Sequence, residues 1–356
     1  MLRATNSLCE GALVRIVPID GERIATKKRS RELKNLMTNV VITTGARLHF
    51  GPLSVAAPAG GRFGGVGVMI ESPRVVVSAR TAEIDSVQAD EQTATRVANF
   101  LRHIRQALPV GNGSGCELTV TQTIPSHCGF GSGTQLGLAV ALAASVVDNE
   151  PKPGLETLAR RVGRGLRSAV GLHGFAQGGF LVDGGRAETH QLGTLVSRVD
   201  FPSDWRFVLA VPQQTVGLSG EAEQSAFASQ PPMSQQLTAE LCRIVLMDWL
   251  PSVIEADFAR CAESLFTFGH AVGQFFSPAQ GGVFAHPRMA EWAALIRQRG
   301  IQGVAQTSWG PTLAALCSSE ALAHQLKQDF MTDAAWHDCS FDVVSPLNRG
   351  ANVTVG

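Results

Sequence analysis

The chain has 356 residues, enough for two domains of ordinary size, each able to bury a core without disulfide or metal staples. Its 30 basic and 30 acidic side chains cancel to a formal net charge of zero, which speaks against a basic surface that tracks nucleic acid. With 44 % hydrophobic and 17 % charged residues, the composition is that of a globular protein, and no 18-residue apolar run suggests a membrane span.

Residues 1–37 read as an extension. They carry Lys27, Lys28, Arg29 and Arg31 without periodicity, and no apolar signal segment. Three readings stand for them: an interaction arm, a solvated tail, or a start displaced to Met37. A β-branched strand follows at 39–48. Two strands, 66–71 and 74–79, are expected on either side of a turn at Ser72-Pro73. Apolar residues at helical spacing predict a helix over 93–108, and alternation predicts a strand over 116–124. A glycine-rich loop, 125–135, leads into a buried apolar helix at 136–147. A basic helix at 155–167, a glycine-rich stretch at 171–185 and a short strand at 180–182 complete a first domain, 38–200. The second domain, 201–356, opens on a strand at 205–211. Helices follow at 220–227, 234–248, 255–275 and 287–298, then strands at 304–307, 312–317 and 341–344 with a helix at 319–329. The seven cysteines are scattered and form no C-x-x-C pair, so reduced thiols in a cytoplasmic protein are expected rather than a disulfide framework or structural zinc.

The loop reads Pro125-Ser-His-Cys-Gly129-Phe-Gly131-Ser132-Gly133-Thr134-Gln135. A strand before it and a helix after it suit an anion site. Glycines let backbone approach the ligand, and helix-start N–H groups and the helix dipole favour negative charge. Ser132 and Thr134 add hydroxyls. No Gly-Lys-Ser/Thr follows, so it is not a Walker A loop, and the Rossmann spacing fails. A tight turn without a ligand is the plainer alternative, and the strand–loop–helix setting weighs against it.

The loop resembles the P-x-x-x-G-L-G-S-S/G signature of the GHMP superfamily, which includes homoserine, mevalonate and galactose kinases. The stretches 44–51 (TGARLHFG) and 303–312 (GVAQTSWGPT) resemble that superfamily's N-terminal strand and C-terminal glycine-rich motif. The resemblance implies an α+β fold, a ribosomal-S5-like first domain and a ferredoxin-like second. Within it, Gly-Ser-Gly-Thr-Gln and the stretches 164–185 and 306–312 look like the β-ribofuranosylaminobenzene 5′-phosphate synthases. That branch implies decarboxylating condensation of phosphoribosyl pyrophosphate with 4-aminobenzoate or 4-hydroxybenzoate in tetrahydromethanopterin biosynthesis, with Mg2+ and a homodimer. The acidic base that many GHMP kinases place after the loop has no counterpart in 168–174 (SAVGLHG), although an ATP-dependent GHMP kinase remains an alternative, as does a non-catalytic ligand sensor.

On this reading Arg47, His49 and Asp183 are candidate catalytic residues. Gly129, Gly131, Ser132, Gly133, Thr134, Gln135 and Arg167 are candidates for phosphate, and Ser308, Trp309 and Gly310 for the substrate. Arg47 has two possible partners, a phosphate and the benzoate carboxylate. His49 is an acid–base group or a structural histidine. Arg164 and Arg167, three apart on the expected helix, either close on phosphate or belong to a basic face. Trp309 either stacks on the aromatic ring or anchors core. His173, in the stretch where kinases carry an acid, is a further weak candidate. The side chains of His127 and Cys128 are expected to pack, leaving their backbone to function. Glu71 and Asp183 are the guesses for metal ligands.

Overall fold

The computed structural model describes residues 12–15, 39–55, 62–107, 115–187, 192–213 and 230–356. The expected helix at 220–227 lies outside them. The β-branched run Val40-Val41-Ile42 begins a long strand, β2 (Asn39–Gly51), which follows β1 (Ala12–Arg15). Strand β3 (Gly65–Ala82) pairs antiparallel with β2 along most of its length. The turn expected at Ser72-Pro73 is absent, because Glu71, Ser72 and Pro73 form a bulge in β3 opposite Gly45 and Ala46 of β2, and β3 continues past it. The sheet runs β1–β4–β5–β3–β2–β12, with β4 (Ser86–Ala89), β5 (Gly115–Gln122) and β12 (Asn352–Val355), and β6 (Phe180–Asp183) and β7 (Leu195–Val199) extend one end of β3. Strand β1 falls within the expected extension and pairs with β4, so part of that segment is sheet.

Helices α1 (Glu91–Ala107) and α2 (Ser132–Val147) cover one sheet face. Nearly every residue of α2 is buried, as its uniform apolarity requires. The basic helix stops early: α3 spans Leu155–Arg161, and Gly163 and Gly165 then take φ of 62° and 86°, a left-handed geometry no helix continues through. Arg164 and Arg167 therefore lie on an irregular segment, not on one helix face. The stretch read only as glycine-rich contains α4 (Val170–Gln177).

The second sheet is ordered β11–β8–β10–β9, all antiparallel, from β8 (Arg206–Pro212), β9 (Val304–Gln306), β10 (Leu313–Cys317) and β11 (Cys339–Val344). Numbered within the domain that order is 4-1-3-2, the ferredoxin-like arrangement. Helix α5 (Gln235–Arg243), a π-helical turn (Ile244–Trp249), α6 (Leu250–Ile254), α7 (Phe258–Gln280) and α8 (Met289–Gln298) connect β8 to β9, and α9 (Glu320–Thr332) connects β10 to β11. The fold is thus α+β with two units. They share one core: Phe50 and Phe180 of the first sheet meet Trp249 at 5.5 and 5.1 Å, and Trp249 meets Phe268 of α7 at 5.4 Å. Each such pair adds about 0.5–1.5 kcal/mol beyond its buried area.

Candidate active site

The glycine loop ends where α2 begins. Gly131 is the N-cap, at φ 72°. Its carbonyl accepts from Thr134 N and Gln135 N at 3.0 and 3.2 Å. The N–H groups of Ser132 and Gly133 are those a helix start cannot satisfy internally. With the α2 dipole behind them they make a site for an anion. Above them a cleft of about 750 Å³ opens between the two units.

Four arginines line it: Arg47 from β2, Arg96 from α1, and Arg164 and Arg167 from the segment after α3. No aspartate or glutamate lines it among the described residues. The arginine stems lie against the loop. A Cβ on Gly131 would come 2.8 Å from Arg47 Cγ, and one on Gly133 2.8 Å from Arg164 Nη2. Arg47 Nη1 also donates to Gly129 O at 3.2 Å. The opposite wall is apolar, with Val272 and Phe276 of α7 and Val283.

The 306–310 turn of the second unit is stitched to this loop. Thr307 Oγ1 donates to Gly129 O and Thr312 Oγ1 to Cys128 O, at 3.0 and 2.9 Å. Ser308, at φ 54°, donates its N–H to His49 O at 2.6 Å. Ser308, Trp309 and Gly310 all line the cleft. Trp309 is only 6 % exposed and packs edge-on against Phe276 at 4.8 Å, so most of its ring is core.

The structure places five residues differently from the sequence expectation. Gln135 does not reach the cleft. It is fully buried, accepting from Thr44 Oγ1 at 2.7 Å and donating to Gly171 O at 2.8 Å, so it braces β2 against α4 because its amide can satisfy both. Asp183 is also fully buried. Its oxygens accept from Ala169 N at 2.6 Å and Gly185 N at 2.9 Å. Burial raises its pKa, against the pull of those two N–H groups. It holds the backbone under the site and touches no ligand space. Glu71, the other guessed metal ligand, faces Arg349 instead, at 3.4 Å. His173 is buried with its ring on Gly193 O at 2.8 Å. His127 is exposed at φ 63° and lines the cleft, contrary to the packed side chain expected.

Two cleft groups had gone unnoticed as site residues, Arg96 and Ser168. Ser168 Oγ lies 3.0 Å from His49 Nε2 and 3.5 Å from Asp183 Oδ2, and accepts from Val170 N at 3.2 Å. His49 is 7 % exposed at the cleft floor. Desolvation, then the charges of Arg47 and Arg167, hold its pKa well below 6.5. The ring is therefore neutral at physiological pH. Because the unfolded chain takes up this proton first, stability falls as pH drops below 6.5 toward the folded value. His49→Gln should flatten that fall between pH 6.5 and 5 in urea-melt midpoints. An unchanged slope would remove His49 as its source.

These donors do not suit a resident divalent cation. Hard cations take carboxylate and carbonyl oxygens, the cleft wall is cationic, and no cluster of three or more His, Cys, Asp or Glu occurs among the described residues.

Residues 92–178 match the family model described as "GHMP kinases N terminal domain". Over 343 residues the chain is 29 % identical to the "Beta-ribofuranosylphenol 5'-phosphate synthase" of Archaeoglobus fulgidus, covering 88 % of this chain and 99 % of that protein. Over 248 residues it is 28 % identical to the protein of the same name in Methanothermobacter thermautotrophicus, covering 65 % and 75 %. Among solved structures, mevalonate diphosphate decarboxylase from Enterococcus faecalis superposes with a TM-score of 0.63 at 13 % identity, covering 90 % of this chain and all (100 %) of that one. A homoserine kinase from Cytophaga hutchinsonii gives 0.58 at 15 %, covering 94 % and 100 %. Among the described residues no helix is long and apolar enough to cross a membrane.

Proposed function

We propose that the chain, whose residues 92–178 match the GHMP kinase N-terminal model, is a decarboxylating phosphoribosyl transferase of that superfamily that joins phosphoribosyl pyrophosphate to a 4-substituted benzoate. The observation that carries this reading is the cleft itself: helix-start amides, four arginines in its wall, no carboxylate among its described lining residues, and apolar Val272, Phe276 and Val283. The relatives, whose name is that of the phenol form of the synthase, favour 4-hydroxybenzoate over 4-aminobenzoate as acceptor.

The chemistry asks for what these residues offer. As the bond from ribose C1 to pyrophosphate breaks, its electron pair leaves with the pyrophosphate. Guanidinium and amide N–H groups fixed at the departing oxygens stabilise that charge. The ring carbon bearing the carboxylate then donates a π pair to C1, forming the C–C bond. The ring–carboxylate bond breaks next, carbon dioxide leaves, and that pair restores aromaticity. Val272 and Phe276 suit the flat ring, and their side of the cleft sheds the water that would otherwise capture the ribosyl cation. No base is needed for bond making, in keeping with a His49 whose lowered pKa makes it a weak base. An ATP-dependent kinase would need a base for its acceptor hydroxyl, and the described cleft wall holds no carboxylate for that role, only His127 and His49, whose lowered pKa makes it a weak base. The same reading takes the protein as cytoplasmic and homodimeric, with a role in tetrahydromethanopterin biosynthesis.

Purified protein given phosphoribosyl pyrophosphate, Mg2+ and carboxyl-labelled 4-hydroxybenzoate should release labelled carbon dioxide only when both substrates are present. Silence with both the 4-hydroxy and the 4-amino acid would sink the proposal.

A further inference from the structure

Arg96 is the one cleft arginine that reaches in from α1, opposite the strand that carries Arg47. It is half-buried, and its Nη1 donates to Ser126 Oγ at 2.8 Å, at the upstream end of the glycine loop. Burial lowers its pKa, and the charge that counters this is Asp90. Asp90 is occupied as the cap of α1, where its Oδ1 accepts from Thr93 N at 2.9 Å. No carboxylate pairs with Arg96 among the described residues. A guanidinium carries five donors, and a hydroxyl uses only one. Beside it, Gln92 one turn earlier on α1 and His127 after Ser126 also line the cleft. One turn later, Phe100 lies under the Arg164 guanidinium, 5.6 Å from its ring centroid, so the α1 face runs on toward the arginines of the loop.

We propose that Arg96, steadied by Ser126 and flanked by His127, forms a second anion subsite in the cleft, and that it takes the phosphomonoester of a donor whose diphosphate lies on Gly129–Gly133. This rests on the phosphoribosyl transferase reading above. Charge sets the assignment. Arg47 and Arg164 lie against the loop, Arg167 lines the same cleft, and with the helix dipole they match the more highly charged diphosphate. One arginine with a histidine matches a monoester of about −1.5 to −2. Ser126 lies three residues before Gly129, at most about 10 Å along an extended chain, which suits a pentose carrying an anion at each end. A donor held at both ends has its C1 fixed against the apolar wall.

Calorimetric titration of the whole protein tests this with two separate ligands, ribose 5-phosphate and inorganic pyrophosphate. Arg96→Ala should weaken ribose 5-phosphate by roughly 10- to 100-fold, the scale of a charged hydrogen bond, and leave pyrophosphate within about threefold. Arg96→Gln, which retains a polar stem, should show the same selectivity and serves if the alanine variant folds poorly. Ser126→Ala, which keeps the cation, should change ribose 5-phosphate by less than about threefold. Equal losses for both ligands would overturn the subsite, as would no loss, or no ribose 5-phosphate binding by the unaltered protein. A Ser126→Ala loss as large as that of Arg96→Ala would make Arg96 a strap for the loop. These are binding measurements. Selective loss in a protein that releases no carbon dioxide would keep the subsite and discard the transferase, and carbon dioxide release with unselective binding would do the reverse.

Discussion

Gly310→Ala should destabilise the protein by about 3 kcal/mol or more, at the upper end of overpacking costs. A Cβ there would lie 2.3 Å from both Cys128 C and Gly129 N. These are backbone atoms of the loop, so no rotamer change relieves the clash. Thr307 and Thr312 hold the same loop from the same turn, and separating the two strands of contact breaks both bonds. The melting temperature should fall by roughly 5 °C or more, and donor binding should be lost with it. Gly154→Ala is the comparison: nothing lies within 4 Å of a Cβ there, and its φ of −65° suits alanine, so stability should stay within about 1 kcal/mol. Equal melting points for the two variants would show that the seam can open without cost.

Arg47→Ala should cost about 100- to 1000-fold in kcat/KM for the phosphoribosyl donor, the scale for removing one charge-stabilising donor, in a protein that still folds. The fold survives because the bond that ties Arg47 to the loop through its backbone, N to Phe130 O at 3.1 Å, needs no side chain. Arg47→Lys should recover only part of the rate, since an ammonium lacks the planar fork. A second readout is independent of turnover. Arg47 is one of the two charges that depress His49, so its removal should raise the His49 pKa in histidine-ring NMR titration. A variant with most of its activity and an unmoved histidine would take Arg47 out of the site.

Much of this was legible from residues alone. The β-branched start of β2, the spacing of α1 and the continuous apolarity of α2 each follow from local pattern, and the glycine loop between a strand and a helix stated its chemistry directly. What pattern cannot show is partnership. Gln135 sits in the loop motif, yet its amide turns inward because Thr44 and Gly171 are there to satisfy it. Asp183 looks like an acid in a glycine turn, and only the fold brings two N–H groups onto its oxygens. Arg96 is hidden for the opposite reason, since on an amphipathic helix an arginine is ordinarily solvated. A clue was present in its place one turn before Phe100, on the side of α1 that faces the loop. The early end of α3 was readable too, because Gly163 and Gly165 break the periodicity that the basic run suggested.

The pairing of β12 with β2 joins Asn352 to Thr43 and Val355 to Val40. A ribosome makes β2 long before β12, with the whole second unit between them. At about 5–20 residues per second, that interval is on the order of ten seconds or more. Throughout it, the outer edge of β2 stands unpaired, a template for any extended chain nearby. The β2 edge of the first sheet can therefore be covered only after the whole second unit has been made, and a nascent chain stalled in that unit would carry an open edge for a chaperone to guard.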